Sequence, residues 1–338
     1  MITLKKIIPA GLLFSGLILI TTQSQADCSV NSSGDVSIGK IPSITLTESG
    51  IQSNQFSAGL RCQAFLTFAT LNYIKYRVDQ MPVNYINIVT GERLIVNYLD
   101  TADNPISLGK EVELGGFSLI NLFSGPSGAL QFKAKINSGQ VVSPGIYRAE
   151  SPFKVKWYYS VPAIGIGPIS LYFQSPGLKL NFLGFLTDWG TGSDASLSLS
   201  VEVLPDCRIS TNDVNFGTAA FASEFQPVKT SMGIRCSVKT PYKVSLNDGL
   251  YPQNGNQRAM KSETGNNYMS YEIYKNSTTE RWGRNNEQWS SDVATTNPGI
   301  YDANTQQGYA FTTKILDTNS LSLPAGKYSD TVTVQVEF

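Results

Sequence analysis

Residues 325–338 read AGKYSDTVTVQVEF. Val332, Val334, Val336 and Phe338 alternate with Thr331, Thr333, Gln335 and Glu337, the two-residue period of a strand with one face in a core. PGIYRAESPFKVKW at 144–157 echoes the segment upstream, and ALQFKAKI (129–136) stands to it as YAFTTKIL (309–316) stands to 325–338. The dipeptide Asp27-Cys28 is likewise matched by Asp206-Cys207. The first cysteine is followed by Cys62 inside FSAGLRC, the second by Cys236 inside TSMGIRC, with 33 and 28 residues between. The chain therefore reads as one pattern written twice. Four cysteines allow three pairings, and the repeat favours the local one, Cys28–Cys62 and Cys207–Cys236.

The rest of the pattern is also strand. Leu197, Leu199, Val201 and Val203 alternate with Ser196, Ser198, Ser200 and Glu202, and Gly, Pro, Asn and Ser cluster between such runs, as in sandwiches of short antiparallel strands. No window carries a capped helical stripe. The expectation is all-β: two immunoglobulin-like β-sandwich domains at 27–204 and 205–338, joined at Leu204-Pro205.

The halves differ at their ends. After the 144–157 segment the first half continues for some 45 residues and finishes with SLSLSVEVL (196–204). The equivalent segment of the second half, TVTVQVEF, is the last in the sequence. The first sandwich is thus expected to own a strand that the second lacks. A sandwich short of a strand exposes apolar core and unpaired backbone groups, and a strand lent by another chain supplies what is missing. The alternative is that the second half closes on its own strands, and composition and spacing leave both open.

Lys5 and Lys6, the apolar run 7–20 and Ser24-Gln25-Ala26 have the layout of a secretory signal peptide over 1–26. The run is shorter than the ~20 residues of a spanning helix. Export makes the cysteines competent for disulfides. The sequence has 26 Lys+Arg, 26 Asp+Glu and no histidine. A balanced charge gives no reason to expect nucleic acid, and the lack of histidine removes Ser-His-Asp and Cys-His catalysis and histidine metal sites. No spacing suggests a metal or an organic cofactor.

Residues 207–338 resemble the spore coat protein U domain of secreted pilins. The matching stretches are CRIS…VNFG (207–217), GIRCSVKTPYKVSLNDG (233–249), RAMKS (258–262), YMSYEIYKN (268–276), RWG (281–283) and LPAGKYSDTVTV (323–334). Two-domain members of this group are similar to the tip adhesins of archaic, Csu-type chaperone–usher pili. The resemblance implies a pilin fold completed by donor-strand complementation, with the donor along the edge carrying Val332, Val334, Val336 and Phe338. It implies as partners a periplasmic pilus chaperone, an outer-membrane usher and an adjacent pilus subunit, and a place at the cell surface at the tip of a pilus active in attachment and biofilm formation. Spacing agrees with the tip: the first cysteine follows the expected cleavage site by one residue, leaving no arm to donate, and a subunit that accepts without donating ends a fibre.

A terminal subunit meets its target through its first domain. SVPAIGIGPIS (160–170) sets Val161, Pro162, Ala163, Ile164, Gly165, Ile166, Gly167 and Pro168 between strand-like flanks, where Pro and Gly signal a turn; Ile164 and Ile166 are expected in solvent. INLFSGPSG (120–128) offers Leu122, Phe123 and Pro126 in the same way, and FLTFATL (65–71) offers Phe65, Leu66, Phe68 and Leu71. Exposed apolar loop tips mark interaction sites, so the expected target is an apolar or abiotic surface, or a host receptor. LKLNFLGFLTDWG (178–190) reads as core instead. Three rivals are a lectin, using Asp188-Trp189 or Trp157, Tyr158 and Tyr159 to hold a sugar; a carboxylate-pair hydrolase using Asp188 and Asp194, which no motif supports; and a structural secreted pilin or coat subunit, against which the absent donor arm and the unlike first domain argue.

Overall fold

The computed structural model describes residues 27–31, 34–63, 66–100, 102–114, 116–122, 131–167, 169–317 and 323–338. The expected signal segment lies outside them. Among the described residues no helix is long and apolar enough to cross a membrane.

Two strands dominate the first half. Leu66–Gln80 and Phe153–Ile166 run antiparallel, with Trp157 opposite Tyr76. Gly116–Leu122 lies on the outer side of the first, and Ser193–Leu204 on the far side of the second. A smaller layer, Ile51–Ser57, Gln131–Ile136 and Asn97–Leu99, covers one face. Between the layers sits an aromatic core. Trp157 is fully buried, stacks on Phe132 at 6.2 Å and donates its indole N–H to the Ala58 carbonyl at 2.8 Å. A buried indole needs such a partner, because an unpaired N–H costs most of what its ring gains by leaving water.

Ser193–Leu204 closes this sandwich. Ala195, Leu197, Leu199, Val201 and Val203 are all buried, as their alternation predicts. One edge pairs antiparallel with Phe153–Ile166 and Gly145–Ala149; the other pairs in parallel with the first long strand, Gly34–Pro42.

The second half repeats the plan. One sheet contains Cys207–Ser210, Val228–Cys236, Gln307–Ile315, Tyr268–Lys275, Ala259–Ser262 and Tyr328–Ser329. The other contains Trp289–Ser290, Lys243–Leu246 and Val334–Glu337. Trp282, Trp289, Tyr309 and Phe311 fill the space between them. Arg258 is wholly buried yet satisfied, by the Glu272 carboxylate and the carbonyls of Leu246, Asn247 and Trp282.

The sequence repeat is a structural one. The disulfides Cys28–Cys62 and Cys207–Cys236 each join residues directly opposite in an antiparallel pair. Gly145–Ala149 corresponds to Tyr328–Ser329, and the start of Phe153–Ile166 to Val334–Glu337, with Phe153 in the place of Val334 and Trp157 in that of Phe338.

One element escaped sequence analysis. Ser43–Glu48 is a six-residue helix, too short for a helical period to show. It sits where the halves meet. Ser43 and Ser237 share a buried hydroxyl hydrogen bond. Glu48 takes Arg208 at 3.0 Å and pairs with Arg235, while Lys239 reaches Glu92 at 2.5 Å.

Candidate functional site

Two regions stand out, at opposite ends of the chain's architecture. The first lies at the end of the long strands. Ser193, where the closing strand begins, is level with Trp157. From that level the closing strand runs eleven residues one way, to Leu204 at the linker, and Phe153–Ile166 runs nine the other way, to Ile166. At ~3.3 Å per residue the two ends stand about 65 Å apart. The register thus sets this tip far from the second half.

Three of the apolar segments singled out in the sequence converge there. Leu66 pairs with Leu122 on one side and with Ile164 on the other. Ile166 and Ile169 face each other across a turn through Gly167, whose φ is 54° and whose N–H donates to the Phe68 carbonyl at 2.8 Å. Gly165 is obligatory: its φ is 144°, and a Cβ there would lie 2.4 Å from the Ile169 carbonyl oxygen. Ile164, Ile166 (67% exposed), Ile169 (85%) and Leu171 (70%) present a dense apolar surface on one hairpin, with Phe68 beside it.

The extent of this loop differs from the expectation. Val161, Pro162 and Ala163 are not in a turn but buried in the strand. Pro162 sits at a bulge, where the register with Ile169–Gln174 slips; a bulge tolerates a residue that cannot donate to the ladder. These three are therefore removed from the candidate contact surface. Gly165 and Gly167 shape the hairpin. Pro168, Phe123, Pro126 and Phe65 lie outside the described residues, and Leu122 ends its strand.

A second apolar projection stands where the sequence reads as core. Lys179–Leu180 and Leu186–Asp188 form a hairpin whose tip exposes Phe182 (88%), Leu183 and Phe185. The Asn181 side chain accepts from the N–H groups of Leu183 and Phe185 and holds the turn. Its base is anchored differently. Leu178 is buried, and the Lys75 ammonium lies 4.5 Å from the Trp189 ring and 4.7 Å from the Tyr158 ring, paired with Glu111 at 2.8 Å. Cation–π contacts gain strength as water is excluded, and Lys75 is almost wholly buried. A face of Trp189 is thereby taken up, and Trp157 is inside the core. The Asn-x-x-Gly turn in NFLG (181–184) was the signal that could have revealed the hairpin.

The second region is a groove of about 450 Å³ in the second half. Its lining includes the half-buried Val214, Phe216, Val332 and Val334 and, more deeply buried, Met232 and Phe311. Val334–Glu337 pairs with Lys243–Leu246 along one edge; among the described residues no strand pairs its other edge. Val332, Val334 and Val336 are half-buried against the core, while Phe338 is exposed. The Tyr271 hydroxyl reaches Asp330 at 2.7 Å in this groove, and burial together with that carboxylate pushes the phenol's pKa up. In the first half the equivalent edge is the one that Ser193–Leu204 covers.

No cluster of three metal-ligating side chains occurs among the described residues.

The Spore Coat Protein U domain model matches residues 193–335, which includes the closing strand of the first half as well as the second half. No curated protein matches the chain. Among solved structures, the crystal structure of the CsuC–CsuE chaperone–tip adhesion subunit pre-assembly complex, from archaic chaperone–usher Csu pili of Acinetobacter baumannii, matches at 53% identity. That match covers 92% of this chain and 100% of the other, with a TM-score of 0.72. The CupB6 tip adhesin from Pseudomonas aeruginosa aligns at 9% identity with a TM-score of 0.30, too low to bear on the argument. Identity of 53% over nearly the whole length of both chains shows that this chain belongs to the family of the CsuE tip subunit of archaic chaperone–usher pili.

Proposed function

We propose that this chain is a pilus tip adhesin: its second half accepts a strand from a periplasmic chaperone and then from the adjacent subunit, and its first half attaches the pilus to apolar surfaces. The observation that carries the reading is the contrast between the halves. In the first, a strand with five inward apolar residues lies between Phe153–Ile166 and Gly34–Pro42. In the second, the corresponding space is the groove lined by Val332, Val334, Val214 and Phe216. The first half is then a template for the complex. The donor runs antiparallel to Val334–Glu337, continues along Tyr328–Ser329, and lies parallel to the 211–217 segment. Its backbone satisfies the outward edge, and its alternate side chains enter the core.

Attachment follows from the far tip. Ile164, Ile166, Ile169 and Leu171 cost solubility without stabilising the fold, which is how interaction surfaces are recognised. Burying about 100 Å² of each aliphatic chain at ~25 cal/mol per Å² gives roughly 2.5 kcal/mol apiece before ordering losses. Many pili, each with one rigid tip, add these weak contacts into firm adhesion and the start of a biofilm. The outer-membrane usher assembles the fibre, so the chain passes through the periplasm and works at the cell surface.

The test is co-expression. The full chain should be recovered as a one-to-one complex with its chaperone and should aggregate or be degraded without it. A stable, soluble lone monomer would count against the reading.

A further inference from the structure

The groove of the second half is not uniformly apolar. Thr313 lines it and is 2% exposed, yet its hydroxyl has no hydrogen-bond partner among the described residues. Its neighbour Thr312 faces the other way and donates to the Asn276 carbonyl at 2.7 Å. A buried hydroxyl without a partner costs stability, and apolar residues fill the positions around it. Valine has the same shape and would avoid the cost.

The register fixes where along the groove this hydroxyl lies. Thr313 pairs with Ile273, and two residues on Ile315 pairs with Tyr271, whose hydroxyl reaches Asp330. In the facing layer Asp330, Val332 and Val334 succeed one another along the groove, so Thr313 is level with Val332. In the first half, Leu197 pairs with Phe153, the equivalent of Val334, and Val201 pairs with Tyr147, the equivalent of Tyr328. The residue between them, Leu199, is the third of five inward positions.

Resting on the strand-acceptance reading above, we propose that the strand completing the second half carries a hydrogen-bonding side chain of the threonine, serine or asparagine kind at its third inward position, opposite Thr313. The partner is thus recognised by one polar contact inside an otherwise apolar row. Such a contact discriminates between donors, because an all-apolar strand buries the Thr313 hydroxyl unpaired.

The experiment uses the full chain in complex with its chaperone, challenged with synthetic peptides of the 193–204 sequence, SDASLSLSVEVL. The peptides differ only at the third inward residue, as Leu199→Thr or Leu199→Val, and the concentration displacing half of the chaperone is read. The threonine peptide should be roughly threefold to tenfold more effective than the valine peptide, and Thr313→Val in the chain should reverse that order. Leu197→Thr and Val201→Thr peptides should be weaker than the parent. Equal or better displacement by the valine peptide, or a threonine gain at another position, overturns the proposal while leaving strand acceptance intact. If neither the parent nor any variant peptide displaces the chaperone, strand acceptance itself fails.

Discussion

Lys239 of the second half donates to Glu92 of the first at 2.5 Å, and the same carboxylate accepts the backbone N–H of Ser143 at 2.9 Å. Burial pulls the Glu92 pKa upward, but the hydrogen bonds from Lys239 and Ser143 outweigh it and hold the group down to about 2. A depressed carboxyl stabilises the fold above its ordinary value, about 4.5, and that contribution is lost as pH falls toward 2. Glu48, also lowered by Arg235 and Arg208 against burial, acts in the same direction. Between pH 5.5 and 2.5 the melting temperature of the unmodified chain, held in its chaperone complex, should fall more steeply than that of Glu92→Gln. Parallel curves would mean that the bridge does not couple the halves.

Ile164→Ser combined with Ile166→Ser removes two exposed side chains from the distal hairpin without touching the core. Attachment of piliated cells to polystyrene should drop severalfold, with pilus number unchanged by electron microscopy. Undiminished attachment would take this hairpin out of the adhesive surface.

The Phe182 hairpin makes a separate demand. Phe182→Ser with Phe185→Ser should leave the unfolding free energy within about 0.5 kcal/mol of the original, because both rings are exposed. Attachment to polystyrene should weaken further in combination with the isoleucine changes. Loss of folding instead of adhesion would show that the hairpin packs against something it exposes here.

Removing residues 331–338 takes away the strand that borders the groove and its pairing with Lys243–Leu246. Chaperone capture should be abolished and the chain degraded in the periplasm. The milder change Val334→Arg places a charge in the groove lining and should lower the yield of complex at least tenfold, measured by co-purification.

Much of the fold was legible because alternation reports burial directly: the inward set of 193–204 and the valines of 332–336 lie where their period puts them. The repeat also made the disulfide pairing readable, since in each half the cysteines fall opposite one another on adjacent strands. What failed were inferences from single residues. Pro162 signals a turn in sequence but occupies a bulge, so the strand continues past it and only Ile164 onward reaches solvent. The apolar run at 178–186 looked like core because composition cannot say whether a hairpin is covered; Leu178 is buried and Phe182 is not. The cage of Lys75, Tyr158, Trp189 and Glu111 joins residues up to 114 positions apart, beyond the reach of any local pattern.

The closing strand has a mechanical consequence. Ser193–Leu204 passes directly into the linker and is bonded along both edges within the first sandwich. Tension between an anchored tip and a cell dragged by flow therefore enters that sandwich along the strand's own axis. Its ladder bonds are loaded together in shear, not peeled one after another, so the sandwich should resist a pull along the chain far better than the same force applied across the strand.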